Sequence, residues 1–324
     1  MKSWEELTNT GRFRRLRHLA LNALEQYSIS PNRISLVGGF TNVIFRIDSQ
    51  SGRFALRIDL QQEHSDSDVD VELAWLSHLA RTTDLDVARF VSAADESPYV
   101  FAGAPGVPGE RRCVLFEWIP GRPLFDRLSE NGYERLGRLS AGLIESGRDF
   151  APSVRPMAWD KVFYWPVEVD PIVVFEPRFA SLLGDRRTIL ESSLSLATEA
   201  FSQFDPANAQ VVHGDLHPWN VHSYYGRLIA LDFEDVMWAH PVQDVAITLS
   251  YLRDEPEYPD LKAAFVQGFE SVSPWPETYQ GQLGHFMAAR QLMMVNYVAN
   301  LEPDPTEYWD YMFPRLKRYL ATWG

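Results

Sequence analysis

The feature that most constrains the fold is the segment of residues 211–221, which reads VVHGDLHPWNV and contains a polar loop. Two valines lead into the loop, and a second apolar segment, residues 228–231, ends at Asp232. Short apolar runs bounded by turn residues are typical of buried strands. The pattern therefore predicts a strand, a loop that carries Asp215 and Asn220, and a further strand that ends at Asp232.

These three polar residues carry oxygen atoms in a spacing that suits phosphoryl-transfer chemistry. Asp215 and Asn220 are five residues apart, as in the H-R-D-x-x-x-x-N loop of kinases. In that pattern the Asp accepts the proton of the attacking hydroxyl, while the Asn and a later Asp hold Mg²⁺. We therefore predict that Asp215 is catalytic and that Asn220 and Asp232 bind the metal.

Two other interpretations explain fewer of these residues. Asp and Asn favour turns through hydrogen bonds to their own backbone. A turn alone, however, does not explain why Asp232 follows the second apolar segment. His213 and His217 are four residues apart, which is a zinc-binding spacing on a continuous helix. Gly214 and Pro218 follow the two histidines and argue against such a helix.

Together, the segments HGDLHPWNV and LDFED resemble the aminoglycoside phosphotransferase superfamily, which includes choline kinase-like and homoserine kinase-like enzymes. The layout is also similar to that of a bacterial stress-response Ser/Thr kinase of the same superfamily. The resemblance implies an α+β, bilobal protein-kinase-like fold with ATP and Mg²⁺ as cofactors. Its N-terminal lobe would be a small antiparallel sheet with helices (residues 1–118), and its C-terminal lobe would be larger and mainly helical (residues 119–324). ATP would be held between the lobes.

A glycine-containing loop, GGFTN, lies at residues 38–42, far before the Asp215 loop in the chain. Glycine lets backbone amides approach a phosphate closely. The resemblance implies that this loop covers the nucleotide phosphates. The expected contacts are Gly39, Phe40, Thr41 and Asn42. A Gly-Gly turn is also common in ordinary hairpins.

The next predicted strand, FALRI at residues 54–58, aligns with the V-A-I-K strand of kinases. Ala55 would pack beside adenine, and Arg57 replaces the usual lysine. Glu72 lies on the apolar face of a helix predicted over residues 69–80, and a carboxylate on such a face needs a partner. We therefore predict that Glu72 pairs with Arg57 and directs it to the phosphates. The alternative is that both side chains face solvent.

A boundary between the lobes is predicted where an apolar strand runs into Ile119-Pro120-Gly121. The resemblance implies a hinge in which adenine contacts backbone groups of Glu117 and Ile119. Pro-Gly is also an ordinary loop signal. Further along, the aromatic and acidic residues 151–175 either line an acceptor pocket or pack onto the lobe.

The segment after Asp232 departs from the protein-kinase pattern. Glu234 replaces the glycine of D-F-G, and no segment ending in A-P-E follows. Glu234 either adds a carboxylate near the metal or faces solvent. The missing peptide-binding segment favours a small-molecule hydroxyl acceptor. By resemblance, Asp244 in the stretch PVQDVA braces the catalytic loop from a buried helix.

Composition narrows the class of partner. The formal net charge of −14 argues against general nucleic-acid binding, and it is compatible with an amine-bearing acceptor or simply with solubility. No apolar run is long enough to cross a bilayer. Cys113 is the only cysteine, which suggests a reducing cytoplasm. The oligomeric state does not follow from the sequence.

Three hypotheses of function remain open from the sequence. The first is a small-molecule kinase acting on an amine-bearing alcohol. The second is a Ser/Thr protein kinase of the stress-response type. The third is a nucleotide-binding pseudokinase. This hypothesis stays open because Arg57 replaces the usual lysine of the kinase strand.

Overall fold

The computed structural model describes residues 3–39, 42–60 and 64–324. The chain divides into two compact units, an N-terminal unit of Met1–Gly121 and a C-terminal unit of Arg122–Gly324. The division therefore comes three residues after Trp118, where the sequence placed the boundary. No helix in the described part of the chain is both long enough and apolar enough to cross a membrane.

The N-terminal unit is an antiparallel sheet with two helices. Strand β3 lies between β2 and β6, β1 forms one edge, and β4 and β5 both pair with β6. The elements are α1 (Asn9–Gln26), β1 (Pro31–Gly39), β2 (Asn42–Ser49), β3 (Arg53–Asp59), α2 (Asp66–Thr82), β4 (Phe90–Val91), β5 (Val100–Ala102) and β6 (Arg111–Glu117).

Both helices of this unit begin at side-chain caps. Thr8 accepts a hydrogen bond from the amide of Gly11, and α1 starts at Asn9. Ser65 and Asp68 form a reciprocal cap at the start of α2. This cap fixes the register that places Glu72 on the buried face of α2.

The C-terminal unit is mainly helical. Two small sheets, β7–β9–β10 and β8–β11, accompany the helices. The elements are β7 (Arg122–Pro123), α3 (Glu130–Asp149), α4 (Ala180–Leu183), α5 (Arg186–Phe201), β8 (Gln210–Val212), β9 (Val221–Tyr224), β10 (Arg227–Ala230), β11 (Met237–Ala239), α6 (Pro241–Ser250), α7 (Tyr258–Glu270), α8 (Gln282–Leu301) and α9 (Thr306–Trp323). The predicted α+β class is confirmed.

Glycines allow α3 and α7 to approach closely. A Cβ atom on Gly137 would lie 2.0 Å from the carbonyl oxygen of Phe265, and one on Gly268 would lie 1.8 Å from that of Glu134. Any side chain at these positions would therefore push the two helix backbones apart. α3 also supports β8, the strand that leads into the polar loop, because the Gln210 side chain donates a hydrogen bond to the carbonyl of Ile144.

Candidate active site

The loop that carries Asp215 lies between β8 and β9, and its path depends on a glycine. Gly214 has a φ of +81°, in the left-handed region that favours glycine. A Cβ atom there would also lie 2.0 Å from the carbonyl oxygen of Asp235. Gly214 therefore permits both the sharp turn and the close approach of the segment that follows Asp232.

His213 links the loop to the end of β10. Its Nε2 donates to the carbonyl oxygen of Leu231 at 2.9 Å, and its Nδ1 accepts from the Asp215 amide at 3.2 Å. The imidazole is completely buried, and burial lowers the pKa of His213 to about 4. His213 is therefore neutral at physiological pH, with its proton on Nε2, and it acts as a structural connector of two loops.

Three side chains hold the Asp215 carboxylate. Arg290 Nη2 donates to Oδ1 at 2.8 Å, and Asn220 Nδ2 donates to Oδ2 at 3.1 Å, while His217 Nε2 lies 3.2 Å from Oδ2. Burial alone would raise the pKa of the Asp215 carboxyl. The attraction and hydrogen bond of His217 and the charge of Arg290 outweigh burial and hold that pKa below its ordinary value. Asp215 is therefore an oriented, ionised hydrogen-bond acceptor.

Asn220 and Asp232 lie at the same end of the β9–β10 hairpin. Val221 pairs with Ala230, and the Leu231 amide donates to the Asn220 carbonyl oxygen at 2.8 Å. Asp232 follows directly with a φ of +60°. A non-glycine residue in this region costs energy and is often found at functional sites.

These two residues suit a hard cation. Because Asn220 Nδ2 donates to Asp215, its carboxamide oxygen is the atom that could bind a metal. Among the described residues, no three His, Cys, Asp or Glu side chains converge to form a complete metal site. An amide oxygen and one carboxylate, completed by waters and substrate phosphates, match the way in which proteins hold Mg²⁺. The predicted metal role of Asn220 and Asp232 stays a prediction that this geometry fits.

Asp244 supports the loop from α6. Its Oδ1 accepts from the Gly214 amide at 2.8 Å, and the side chain is completely buried. Burial raises the pKa of Asp244 to about 7. This contact is the bracing interaction that the resemblance implies.

In the N-terminal unit, Arg57 and Glu72 form a bidentate pair. Arg57 Nη1 donates to Glu72 Oε1 at 2.9 Å, and Nη2 donates to Oε2 at 2.5 Å. Both residues are buried, with 7% and 1% of their surfaces exposed, and the guanidinium lies over the ring of Phe116. The structure therefore brings the two residues together, and their action on a nucleotide stays a prediction.

The other predicted nucleotide contacts also belong to the N-terminal unit. Gly39 ends β1 and Asn42 begins β2, while Phe40 and Thr41 lie outside the described residues. Ala55 lies in β3, opposite Phe116 of β6. Glu117 is the last residue of β6, and its amide donates to the carbonyl of Arg89. Its contact with adenine stays a prediction. Ile119 follows two residues later.

Sequence reasoning missed the role of Arg290 and of Tyr164. Arg290 Nη1 donates to the Tyr164 hydroxyl at 2.6 Å. Tyr164 belongs to the aromatic stretch of residues 151–175, whose Trp159 packs in the core against Phe286. The available signal was that Arg290 is the only Asp, Glu, Lys or Arg residue in α8, because a lone charge on a buried helix needs a partner.

An aromatic surface adjoins the loop. Trp219 is 39% exposed, its ring stacks on Phe125 at a centroid distance of 4.0 Å, and its ring centroid lies 5.7 Å from that of Tyr251. Trp219 lies directly between Pro218 and the predicted metal residue Asn220. Such a ring offers a flat face to an apolar or cationic group.

Comparisons with known proteins find several similar kinases. The chain is 26% identical to hydroxylysine kinase of Bos taurus over 212 residues, which cover 60% of this chain and 56% of that protein. It is 24% identical to amicoumacin kinase of Bacillus subtilis (strain 168) over 256 residues, which cover 76% of this chain and 71% of that protein. This chain thus matches little more than half the length of the hydroxylysine kinase.

Two solved structures have the same fold. A microcompartment-associated aminopropanol kinase superposes with a TM-score of 0.78 at 20% identity, covering 94% of this chain and 98% of that one. The amicoumacin kinase hAmiN, solved in complex with AMP-PNP, Ca²⁺ and Ami, gives a TM-score of 0.74 at 15% identity, covering 95% of this chain and 93% of that one. These likenesses confirm the predicted kinase-like fold.

The family is shown by the sequence itself. The model of the phosphotransferase enzyme family (APH) matches residues 33–280, which include Arg57 and Glu72 as well as the loop of Asp215 and Asn220. The resemblance inferred from HGDLHPWNV and LDFED is thereby confirmed. The chain belongs to the phosphotransferase enzyme family.

Proposed function

We propose that this protein transfers the γ-phosphoryl group of ATP, with Mg²⁺, to a hydroxyl group of a small, amine-bearing acceptor. The observation that carries this proposal is the oriented, ionised carboxylate of Asp215. It lies beside Asn220, at the end of the β9–β10 hairpin from which Asp232 follows. Family membership supports the reaction class.

The chemistry follows from the contacts of Asp215. The acceptor oxygen attacks the γ-phosphorus, the bond from that phosphorus to the β–γ bridging oxygen breaks, and ADP leaves with the electron pair. Asp215 orients the acceptor hydroxyl and takes its proton. Mg²⁺, held by Asn220 and Asp232, would neutralise charge on the phosphate oxygens. Arg57, held by Glu72, would bring its positive charge to the phosphates.

Three observations support an amine-bearing acceptor. The relatives include enzymes named for hydroxylysine and aminopropanol, and both of these compounds carry an amino group and a hydroxyl group. The exposed face of Trp219 adjoins Asn220 and suits a cationic group. The net charge of −14 favours the approach of a cation.

A direct test uses ATP labelled in the γ-phosphate and a panel of amino alcohols, each matched with the same alcohol lacking its amine. We expect label transfer to the amino alcohols. Asp215→Asn should lower kcat by about 10²–10⁴-fold, because it removes the proton acceptor. The dissociation constant of ATP should stay nearly the same.

Other outcomes would overturn the proposal. Label transfer only to proteins would favour a protein kinase, and nucleotide binding without any transfer would favour a pseudokinase. If Asp215→Asn kept most of the activity, the role of Asp215 would be wrong.

A further inference from the structure

We propose that Arg290 is a positioning residue for phosphoryl transfer, which holds the Asp215 carboxylate so that Oδ1 receives the proton of the acceptor hydroxyl. The chemical part of this inference rests on the proposed function. Its geometric part rests on contacts within the C-terminal unit alone.

The hydrogen bonds of Asp215 distinguish its two oxygens. Oδ2 accepts from Asn220 and lies 3.2 Å from His217 Nε2, whereas Oδ1 accepts from Arg290 only, among the described residues. An ionised carboxylate offers about four lone-pair sites, two on each oxygen. Two side chains therefore crowd Oδ2, and Oδ1 keeps one site for a further donor. The acceptor hydroxyl would thus bond to the same oxygen that Arg290 holds.

Arg290 is itself held in place. It is 6% exposed, and its planar guanidinium reaches Asp215 with Nη2 and the Tyr164 hydroxyl with Nη1. Tyr164 is also buried, and its ring packs against Trp159 at a centroid distance of 5.5 Å. A planar fork with two fixed partners has little freedom to rotate. The direction of the Asp215 carboxylate is therefore set by contacts outside its own loop.

A purely structural role explains this arrangement less well. Taking a charged pair out of water is costly, and a buried ion pair is weak evidence for stability, since apolar side chains of similar volume often serve as well. α8 is otherwise without Asp, Glu, Lys or Arg. Its single arginine contacts the carboxylate that is predicted to be catalytic, which points to function rather than to packing.

The first test replaces Arg290 by methionine, which keeps an unbranched apolar chain in place of the arginine stem and removes the charge and the hydrogen bonds. We expect kcat to fall by about 100-fold, as for a catalytic group displaced by about 1 Å. The KM for ATP should not change, because Arg290 contacts Asp215 and none of the predicted nucleotide contacts. Arg290→Lys should recover part of the loss, because an ammonium group keeps the charge without the fork.

The second test is a double-mutant cycle with Tyr164→Phe. Tyr164 acts through Arg290 in this proposal, so Tyr164→Phe alone should give a smaller loss of kcat. In the Arg290→Met background the same change should have almost no further effect on kcat. Additive losses would show that the two residues act separately and would overturn the proposed arrangement.

Arg315→Met is the matched control. Arg315 is 2% exposed in α9 and pairs with Asp254 at 2.6 Å, so the same chemical change is made at an equally buried arginine. We expect lower stability and an unchanged kcat at a temperature where the variant is folded. An equal fall in kcat in both variants would indicate a general effect of losing a buried arginine.

Urea unfolding tests the geometric part of this inference, and the activity of the wild type separates its chemical part from the proposed function. Arg290→Met and Asp215→Asn should be coupled in the free energy of unfolding, because each leaves the other partner buried without its counter-charge. If the wild type transfers no phosphate to any acceptor, the proposed function fails and the role of Arg290 in transfer fails with it, whatever the coupling. If the wild type is active and Arg290→Met keeps its kcat, only the role of Arg290 is wrong.

Discussion

At the scale of single residues, the candidate site contains a backbone conformation and shifted carboxyl pKa values that stability alone does not explain. Asp232 has a left-handed backbone with a φ of +60°, which costs on the order of 1–3 kcal/mol. Asp244 is completely buried and Asp215 is half-buried, and their environments shift the pKa values of the two carboxyl groups in opposite directions. Asp215 has cationic and polar donors on both oxygens, so it stays ionised. Asp244 has less compensation for burial, so its neutral form is favoured.

Asp244 gives a prediction about pH and stability. Its pKa rises from 3.8 to about 7 on folding, so the native state binds more protons than the unfolded state between these values. Stability should therefore fall as pH rises through this window. Asp244→Asn should remove about 2–3 kcal/mol of the change in unfolding free energy between about pH 5 and pH 8.

Urea unfolding of the wild type and of Asp244→Asn at both pH values measures this difference. All other titrating groups are common to the two proteins and cancel in the comparison. Equal pH dependence in the two proteins would mean that Asp244 is ionised at neutral pH.

At the scale of elements, a buried asparagine of α8 anchors the stretch of residues 151–175. Asn296 is completely buried. Its Oδ1 accepts from the amides of Val173 and Val174 at 2.9 and 3.1 Å, and its Nδ2 donates to both oxygens of Asp170 at 3.2 Å. The same stretch carries Tyr164, which contacts Arg290 of the same helix. α8 thus organises both the irregular stretch and the candidate site.

Asn296→Ala should lower the free energy of unfolding by about 2–4 kcal/mol, because it leaves two buried amides without an acceptor. Asn300→Ala is the control one turn further along α8. Asn300 makes only a 3.4 Å contact to Asp170, so its loss should cost less than about 1 kcal/mol. Chemical denaturation of both variants checks the prediction, and similar losses would contradict it.

At the scale of the whole molecule, the predicted functional residues are distributed over two compact units. The predicted nucleotide contacts and the Arg57–Glu72 pair belong to Met1–Gly121, while Asp215, Asn220 and Asp232 belong to Arg122–Gly324. The metal-binding and phosphate-binding contributions can therefore be removed separately. Ligand binding to the native state must raise the melting temperature, which makes both contributions measurable.

Mg-ATP should raise the Tm of the wild type, and a chelator should reduce this shift. In the double variant Asn220→Ala/Asp232→Asn, the part of the Tm shift that the chelator removes should disappear, because both predicted metal ligands are gone. Arg57→Met should reduce the shift both with and without Mg²⁺. Differential scanning calorimetry at fixed ATP concentration tests these outcomes. A full Mg²⁺-dependent shift in the double variant would show that the metal is held elsewhere.

The sequence by itself determined the parts of this protein that depend on local geometry. A strand, a tight loop and a hairpin bring Asp215, Asn220 and Asp232 to one end of a short sheet, because antiparallel pairing leaves little choice of position. The Glu72–Arg57 pair was also predictable, since a carboxylate on an apolar helix face needs a partner and the adjacent strand offered one.

Only the tertiary structure decided that Oδ1 of Asp215 accepts from a cationic side chain and that Arg290 supplies it. Arg290 lies 75 residues from Asp215 in the chain, and Tyr164 lies 126 residues from Arg290. Contacts across such separations leave no periodicity or spacing in the sequence, because they depend on how α8 and the irregular stretch pack against the loop. The residue types of the candidate site were therefore local information, and their orientation was a result of packing.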